Sequence, residues 1–393
     1  MKLTVGVMFG GESVEHEISV ISAAQAMAAL NQERYQVVPI YISKDRLFYS
    51  DEILLSMDSY RDLKALVKKI PQVTFYRSNQ DVIMTPVKKK LFGNKEYKLD
   101  VVIPVMHGTN GEDGSLQGFL ETLKVPYAGC NVIAAAVGQD KAVMKHILEN
   151  SKLPVCPWTW FYQHELETKK EQILQKVHEI GYPVIVKPAC LGSSVGIGSA
   201  SNEEEVKRAI HDAAKFDRKI IVEKKIEALR EINAAVLGNA KKQRVSVLEE
   251  VGKTDAILSY KDKYQGGAKS SKGMASATRI IPAPIGEELT SKIQSLAQET
   301  FRVLDSSGVS RIDFMLDEKT GQVYINEINT IPGSLAFYLW EKSGTDFAAL
   351  MDELVHLAID RKRQTEKMTF SYDTNILSGF QLSGAKGSKQ TKD

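Results

Sequence analysis

The 393-residue chain predicts an α/β protein of more than one domain, and three features carry that reading. The first is the order strand, glycine turn, helix, strand at the start of the chain, which is the order of a βαβ unit on a parallel sheet. The second is length: 393 residues exceed one small core and set a prior of two or three domains. The third is a long hairpin, "SRIDFMLDEKTGQVYINEINT" (310–330), turning at Lys319-Thr320-Gly321.

Taken along the chain, "LTVGVMF" (3–9) reads as a buried strand stopped by Gly10-Gly11. "SVEHEISVISAAQAMAAL" follows, with Ser13 as a candidate cap and apolar residues at helical intervals from about Ile18. "YQVVPIYIS" (35–43) is the second strand, and the charged stretch 61–99 reads as helix and hairpin. "DVVIPVMHG" (100–108) is another buried strand, followed by a short helix over 115–124 and a helix over 140–150, with Pro154 and Pro157 marking a connection. "YPVIVKPA" (182–189) and "KIIVEKKI" (219–226) are strands on either side of the helical stretch 202–216. "EINAAVLGN" and "QRVSVLEEV" form an antiparallel pair about Gly238-Asn239, and a helix over 287–307 precedes the long hairpin. The last 24 residues are rich in Ser, Gly, Lys and Thr, a composition that predicts a flexible tail.

The bulk numbers exclude several functions. Lys+Arg of 51 against Asp+Glu of 49 gives +2, so no basic field argues for nucleic acid. Cys130, Cys156 and Cys190 stand far apart, match no metal spacing, and are odd in number, which fits a reducing compartment. The N-terminal apolar run is too short for a signal peptide, and no stretch of about 18 apolar residues exists to span a membrane. The expectation is a soluble cytoplasmic protein.

Two segments carry chemistry. In "IVKPACLGSSVGIG" (185–198) a lysine-bearing strand runs into a Gly/Ser loop, whose N–H groups suit an anion, although the Gly-Lys-Ser/Thr of a P-loop is absent. The alternative is a surface hairpin with a glycine-rich tip. In the long hairpin Arg311 and Asp313 are two apart and share a face, and Glu327 and Asn329 repeat that spacing. Their carboxylate and amide oxygens suit Mg²⁺; the alternative is a set of cross-strand ion pairs.

Seven stretches in register then resemble the ATP-grasp superfamily and, within it, the D-alanine–D-alanine ligases. They are "GGESVEHEISVISA", "HGTNGEDGSLQGFLE", "PYAG" with "QDK", "VIVKPACLGSSVGI", "REINAAVLGN", "SYKDKY" followed by "IIPA", and "SRIDFMLD" with "YINEINTIPGS". The resemblance implies a three-domain ATP-grasp protein: an N-terminal parallel α/β domain (1–128), a central ATP-grasp domain (129–222), a C-terminal ATP-grasp domain with the metal site (223–369), and the tail 370–393. It implies ATP held by Lys141, Lys187, Ser193, Ser194, Glu223, Lys224, Ile226, Glu231 and Lys263. Asp313, Glu327 and Asn329 would hold two Mg²⁺ ions, or Mn²⁺.

By the same resemblance Glu15, Ser193 and Tyr264 form a hydrogen-bonded set across three domains. Arg311 clamps the carboxylate and phosphate, and the Gly333 N–H meets the oxyanion. Glu15, His107, Lys263, Arg311, Tyr338 and Leu339 contact the D-alanine substrates, and a homodimer is implied. One D-alanine carboxylate would attack the γ-phosphate to give an acyl phosphate, which the amine of the second then attacks. Two stretches depart from the family pattern. The lid Lys263–Pro282 is long and glycine-rich, and Tyr338-Leu339 stands where many members have Ser-Leu. Two other functions compete: joining D-alanine to another acceptor such as D-serine or D-lactate, and a non-catalytic ATP-binding scaffold. Intact Arg311, Asp313, Glu327 and Asn329 count against the scaffold.

Overall fold

A computed structural model describes residues 2–89, 95–192, 195–252, 279–375 and 378. Ser193, Ser194, Lys263 and Tyr264 lie outside the described residues, as do most of the lid and most of the tail.

The N-terminal sheet has the order Phe48–Tyr49, Tyr35–Ile42, Leu3–Gly10, Val101–Pro104. Leu3–Gly10 runs parallel to both of its long neighbours, as the βαβ order requires. Its position between two strands explains the apolar run: Val5, Val7 and Phe9 are fully buried. Helix His16–Ala29 covers one face. Its N-cap is Glu15 and not Ser13; the Ser13 hydroxyl instead accepts from the Glu15 N–H at 3.1 Å, one step before the helix. The stretch 61–99 gives helix Leu63–Lys69 and an antiparallel sheet of Val73–Ser78, Asp81–Pro86 and Tyr97–Leu99.

The central sheet has four antiparallel strands in the order Gly198–Ala200, Val184–Pro188, Lys219–Lys224, Trp158–Tyr162. The first and last of these have no counterpart in the periodicity reading: three residues are too few to show a period, and Trp158–Tyr162 is half-buried along most of its length. Strand Lys219–Lys224 belongs wholly to this sheet, so the domain boundary drawn at 222/223 falls inside it. The C-terminal sheet runs Arg279–Ile280, Glu249–Val251, Leu229–Gly238, Gly308–Asp317, Val323–Asn329, with Gln243–Val245 also paired to Leu229–Gly238.

Two helices couple these layers. Asp140 caps helix Lys141–Asn150 by accepting from the Ala142 and Val143 N–H groups, both at 3.1 Å. That helix packs Met144 and Leu148 into the core of the C-terminal sheet and turns its lysines toward the central sheet. Helix Phe347–Thr365 returns to the N-terminal sheet, where Leu350, Met351, Leu354 and Val355 join Val5, Val7 and Phe9 in one apolar core.

Candidate active site

Register places the hairpin groups. Arg311 lies opposite Asn329 and Asp313 opposite Glu327, so the four share one face of the C-terminal sheet. A β-bulge between Asp313 and Phe314 shifts the pairing, leaving Asn326 as the extra residue on the returning strand. A bulge re-aims adjacent side chains. Here consecutive residues Asn326 and Glu327 both reach the central domain: Lys187 Nζ donates to Asn326 Oδ1 at 3.3 Å, and Lys141 Nζ pairs with Glu327 Oε2 at 3.2 Å. Strict alternation along a strand does not foresee this, and Asn326 is missed by spacing alone.

The lysines are buried and organised around one carboxylate. Glu223 receives Lys187 at 2.5 Å on Oε2 and Lys145 at 2.9 Å on Oε1. Burial alone would raise its pKa, but the two lysines outweigh it and hold the carboxyl down at about 2. Glu223 is thus the anion that fixes Lys187. Lys145 lies four residues after Lys141 on the same helix face, the signal that would have found it. Lys224 Nζ donates to the Gly181 and Tyr182 carbonyls, its N–H donates to the Pro157 carbonyl, and Glu231 lies exposed on strand Leu229–Gly238.

Charges on the hairpin are paired as well. Arg311 donates bidentately to Asp313, Nε to Oδ1 and Nη2 to Oδ2, each at 2.7 Å, and Asn329 Nδ2 donates to Asp313 Oδ2 at 3.0 Å. Burial, only partly offset by Arg311, raises the Asp313 pKa, with Glu327 adding to the rise. Burial also acts to raise Glu327, but Lys141 and Lys187 outweigh it and lower its pKa. Among the described residues no three His, Cys, Asp or Glu side chains gather into a metal site. The oxygen set of Asp313, Glu327 and Asn329, two carboxylates and an amide on adjacent strands, nevertheless fits a hard divalent cation that retains waters and phosphate ligands.

The N-terminal domain closes the other side. The Glu15 carboxylate rests against two loops: a Cβ at Gly108 would stand 2.8 Å from its Oε2, and one at Gly192 3.7 Å from it. Glu15 therefore lies beside Gly192. His107 is buried, bonded through Nδ1 to the Ile331 carbonyl at 2.8 Å and through Nε2 to Ser22 Oγ at 2.9 Å. Burial lowers its pKa and keeps it neutral near pH 7. In this geometry His107 ties helix His16–Ala29 to the hairpin exit. Glu112, which no sequence motif singles out, ties the Gly108 loop to the same exit: its two oxygens accept from the Gly108 N–H and the Ile331 N–H, both at 2.8 Å. Burial and the neighbouring Glu15 push its carboxyl up to about 7.

After the hairpin comes a strained turn. Ser334, Leu335 and Ala336 take φ of 51°, 53° and 52°, three successive left-handed residues of which none is glycine. They are held by Ser334 N–H to Ser22 Oγ at 3.0 Å and Ser334 Oγ to Gln25 Oε1 at 2.6 Å. Gly333, just before them, faces open space on its Cβ side. The turn delivers Tyr338 onto Glu249, to which its hydroxyl donates at 3.0 Å, while the Leu339 side chain is fully buried in the core.

Comparison with known proteins shows the family. A family model described as the D-ala D-ala ligase N-terminus matches residues 4–130, and one described as the D-ala D-ala ligase C-terminus matches 147–356. A D-alanine--D-alanine ligase of Thermosipho melanesiensis is 38% identical over 375 residues, covering 95% of this chain and 98% of that protein. One of Heliobacterium modesticaldum is 39% identical over 374 residues, covering 93% and 97%. Among solved structures, the D-alanine-D-alanine ligase from Coxiella burnetii has a TM-score of 0.77 at 31% identity, covering 93% of this chain and 96% of that one. The VanG D-Ala:D-Ser ligase from Enterococcus faecalis has 0.76 at 28%, covering 91% and 100%.

Proposed function

The chain belongs to the D-alanine–D-alanine ligase family, and from that premise we propose that it joins two D-alanines to D-alanyl-D-alanine with conversion of ATP to ADP. It is an ADP-forming ligase with the three-part ATP-grasp fold. The observation that carries the reading is the meeting of Lys141, Lys187, Asp313, Glu327 and Arg311 on one face at the junction of two sheets. ATP-dependent ligation needs phosphate-binding cations beside metal-binding oxygens, and this face supplies both.

In this reading Lys141, Lys187, Ser193 and Ser194 hold the nucleotide phosphates. Glu223, through Lys187, sets the position of that cation. The adenosine lies along Lys224 and Ile226, with Glu231 at the ribose hydroxyls. Asp313, Glu327 and Asn329 would hold two Mg²⁺, or Mn²⁺, whose role is to spread charge on the transferring phosphoryl group. Arg311 aligns the carboxylate of the first D-alanine and then the acyl phosphate. The Gly333 N–H steadies the oxyanion when the second amine attacks. Glu15 receives the first ammonium, Tyr264 and Lys263 complete the closed lid, and His107 orients the substrate from behind. Product chemistry of this kind serves cell-wall precursor synthesis, and the reading places the protein in the cytoplasm as a homodimer. No helix among the described residues is long and apolar enough to cross a membrane.

Product analysis tests this. Purified protein with Mg²⁺-ATP and D-alanine is expected to give equal ADP and D-Ala–D-Ala. ADP appearing only with D-serine or D-lactate present would move it to the second reading, which Tyr338 and the likeness to a D-Ala:D-Ser ligase favour. No ADP in any mixture would refute both.

A further inference from the structure

The row that carries Asp313 extends further than the hairpin. Asn233 lies opposite Asp313 on one side and opposite Glu249 on the other, so Glu249, Asn233, Asp313 and Glu327 form one line across four strands on the site face. Arg279, on the edge strand, lies opposite Val251, two residues from Glu249, and so shares that face. Glu249 is 1% exposed. Its Oε2 accepts from Tyr338 Oη at 3.0 Å and Asn233 Nδ2 at 3.1 Å, and its Oε1 meets Arg279 Nε at 3.2 Å. The Arg279 guanidinium also stacks over the Tyr338 ring, 4.6 Å from its centroid.

Two consequences follow from the inventory of donors. Tyr338 has one hydroxyl proton, and it is engaged by Glu249. A substrate carboxylate arriving here would find the Tyr338 oxygen without a proton to offer. Glu249 is itself buried, with Oε2 taken by two donors and Oε1 paired with the Arg279 cation. Arg279 is different: its side chain is 32% exposed, and a guanidinium bound through Nε still has two Nη groups in its plane. Asp313 stands two strands from Glu249, roughly 10 Å across the sheet. Arg311 feels both Tyr338 and Glu249 electrostatically, which puts the cluster beside the clamp.

We propose that Arg279, held by Glu249 and stacked on Tyr338, takes up the carboxylate of the acceptor amino acid, with Glu249 as its positioning residue. This rests on the ligase reading above and adds to it the group that recognises the second substrate. A site of this kind selects a small amino acid with a free carboxylate and disfavours an acceptor whose carboxyl is neutral.

The experiment compares D-alanine with D-alaninamide as acceptor in the wild type, Arg279→Gln, Arg279→Lys, Glu249→Gln and Tyr338→Phe, with thermal melting to verify folding. Arg279→Gln is expected to raise the acceptor KM about ten- to a hundredfold, as loss of a charge-assisted bond does. The KM values for ATP and for the first D-alanine stay within about twofold. The preference for D-alanine over D-alaninamide shrinks by the same factor, and Arg279→Lys recovers part of it. Glu249→Gln raises acceptor KM alone, and Tyr338→Phe raises it by less than Arg279→Gln does. An unchanged preference in folded Arg279→Gln overturns the proposal, as does a larger loss in Tyr338→Phe. A wild type that makes no dipeptide from D-alanine refutes the ligase reading instead, so the two failures are distinct.

Discussion

Glu223→Gln isolates the buried charge cluster that fixes the phosphate-binding lysine. Glu223 is 3% exposed, Lys145 0% and Lys187 6%, with pair distances of 2.9 and 2.5 Å. At an effective dielectric of about 20, each pair has a gross attraction on the order of 6 kcal/mol. Desolvation of three ions offsets most of that, and removing the partner of a buried charge typically costs about 3–5 kcal/mol. The pH route gives a similar size. The carboxyl sits at about 2 in the fold against an ordinary 4.5, a difference worth about 3 kcal/mol. A folded pKa below the unfolded one means stability that is present above about pH 4.5 and lost as pH falls toward 2. Urea unfolding of the wild type and Glu223→Gln should differ by about 3 kcal/mol at pH 7, and the gap should close between pH 4.5 and 2. Adding Lys145→Met should recover part of the loss, since one fewer buried ammonium is left alone. A gap below about 1 kcal/mol at pH 7, or one that does not change on acidification, would refute the reasoning.

Three further outcomes are expected. Glu327→Gln should abolish ATP turnover in a protein that still melts cooperatively, and near-normal rates would remove Glu327 from the metal set. Glu112→Gln should destabilise by about 1–3 kcal/mol in chemical unfolding, because an amide accepts from only one of the two backbone N–H groups that Glu112 now satisfies. Equal stability of the two proteins would show that one of those bonds is dispensable. Gly308→Ala should cost more than about 2 kcal/mol, since Gly308 has φ +74° and an added Cβ would stand 2.7 Å from the Gly129 backbone; a change under 1 kcal/mol would mean that contact can relax.

What the sequence determined by itself was the set of groups whose positions follow from local periodicity. The βαβ start, the hairpin and the shared face of Arg311, Asp313, Glu327 and Asn329 all follow from periods of two and 3.6 residues, and the structure reproduces them. Resemblance of seven stretches supplied the family, and the family comparisons agree with it. Tertiary structure decided the partners. Glu223 as the anchor of Lys145 and Lys187, Glu112 on the Ile331 N–H, and the commitment of Tyr338 to Glu249 join residues from 36 to 219 positions apart in the chain. The bulge that turns both Asn326 and Glu327 toward the central lysines breaks the alternation a sequence reader relies on. A carboxylate's role depends on which cations reach it once water is excluded. That is set by the packing of three sheets and is written in no single stretch of the chain.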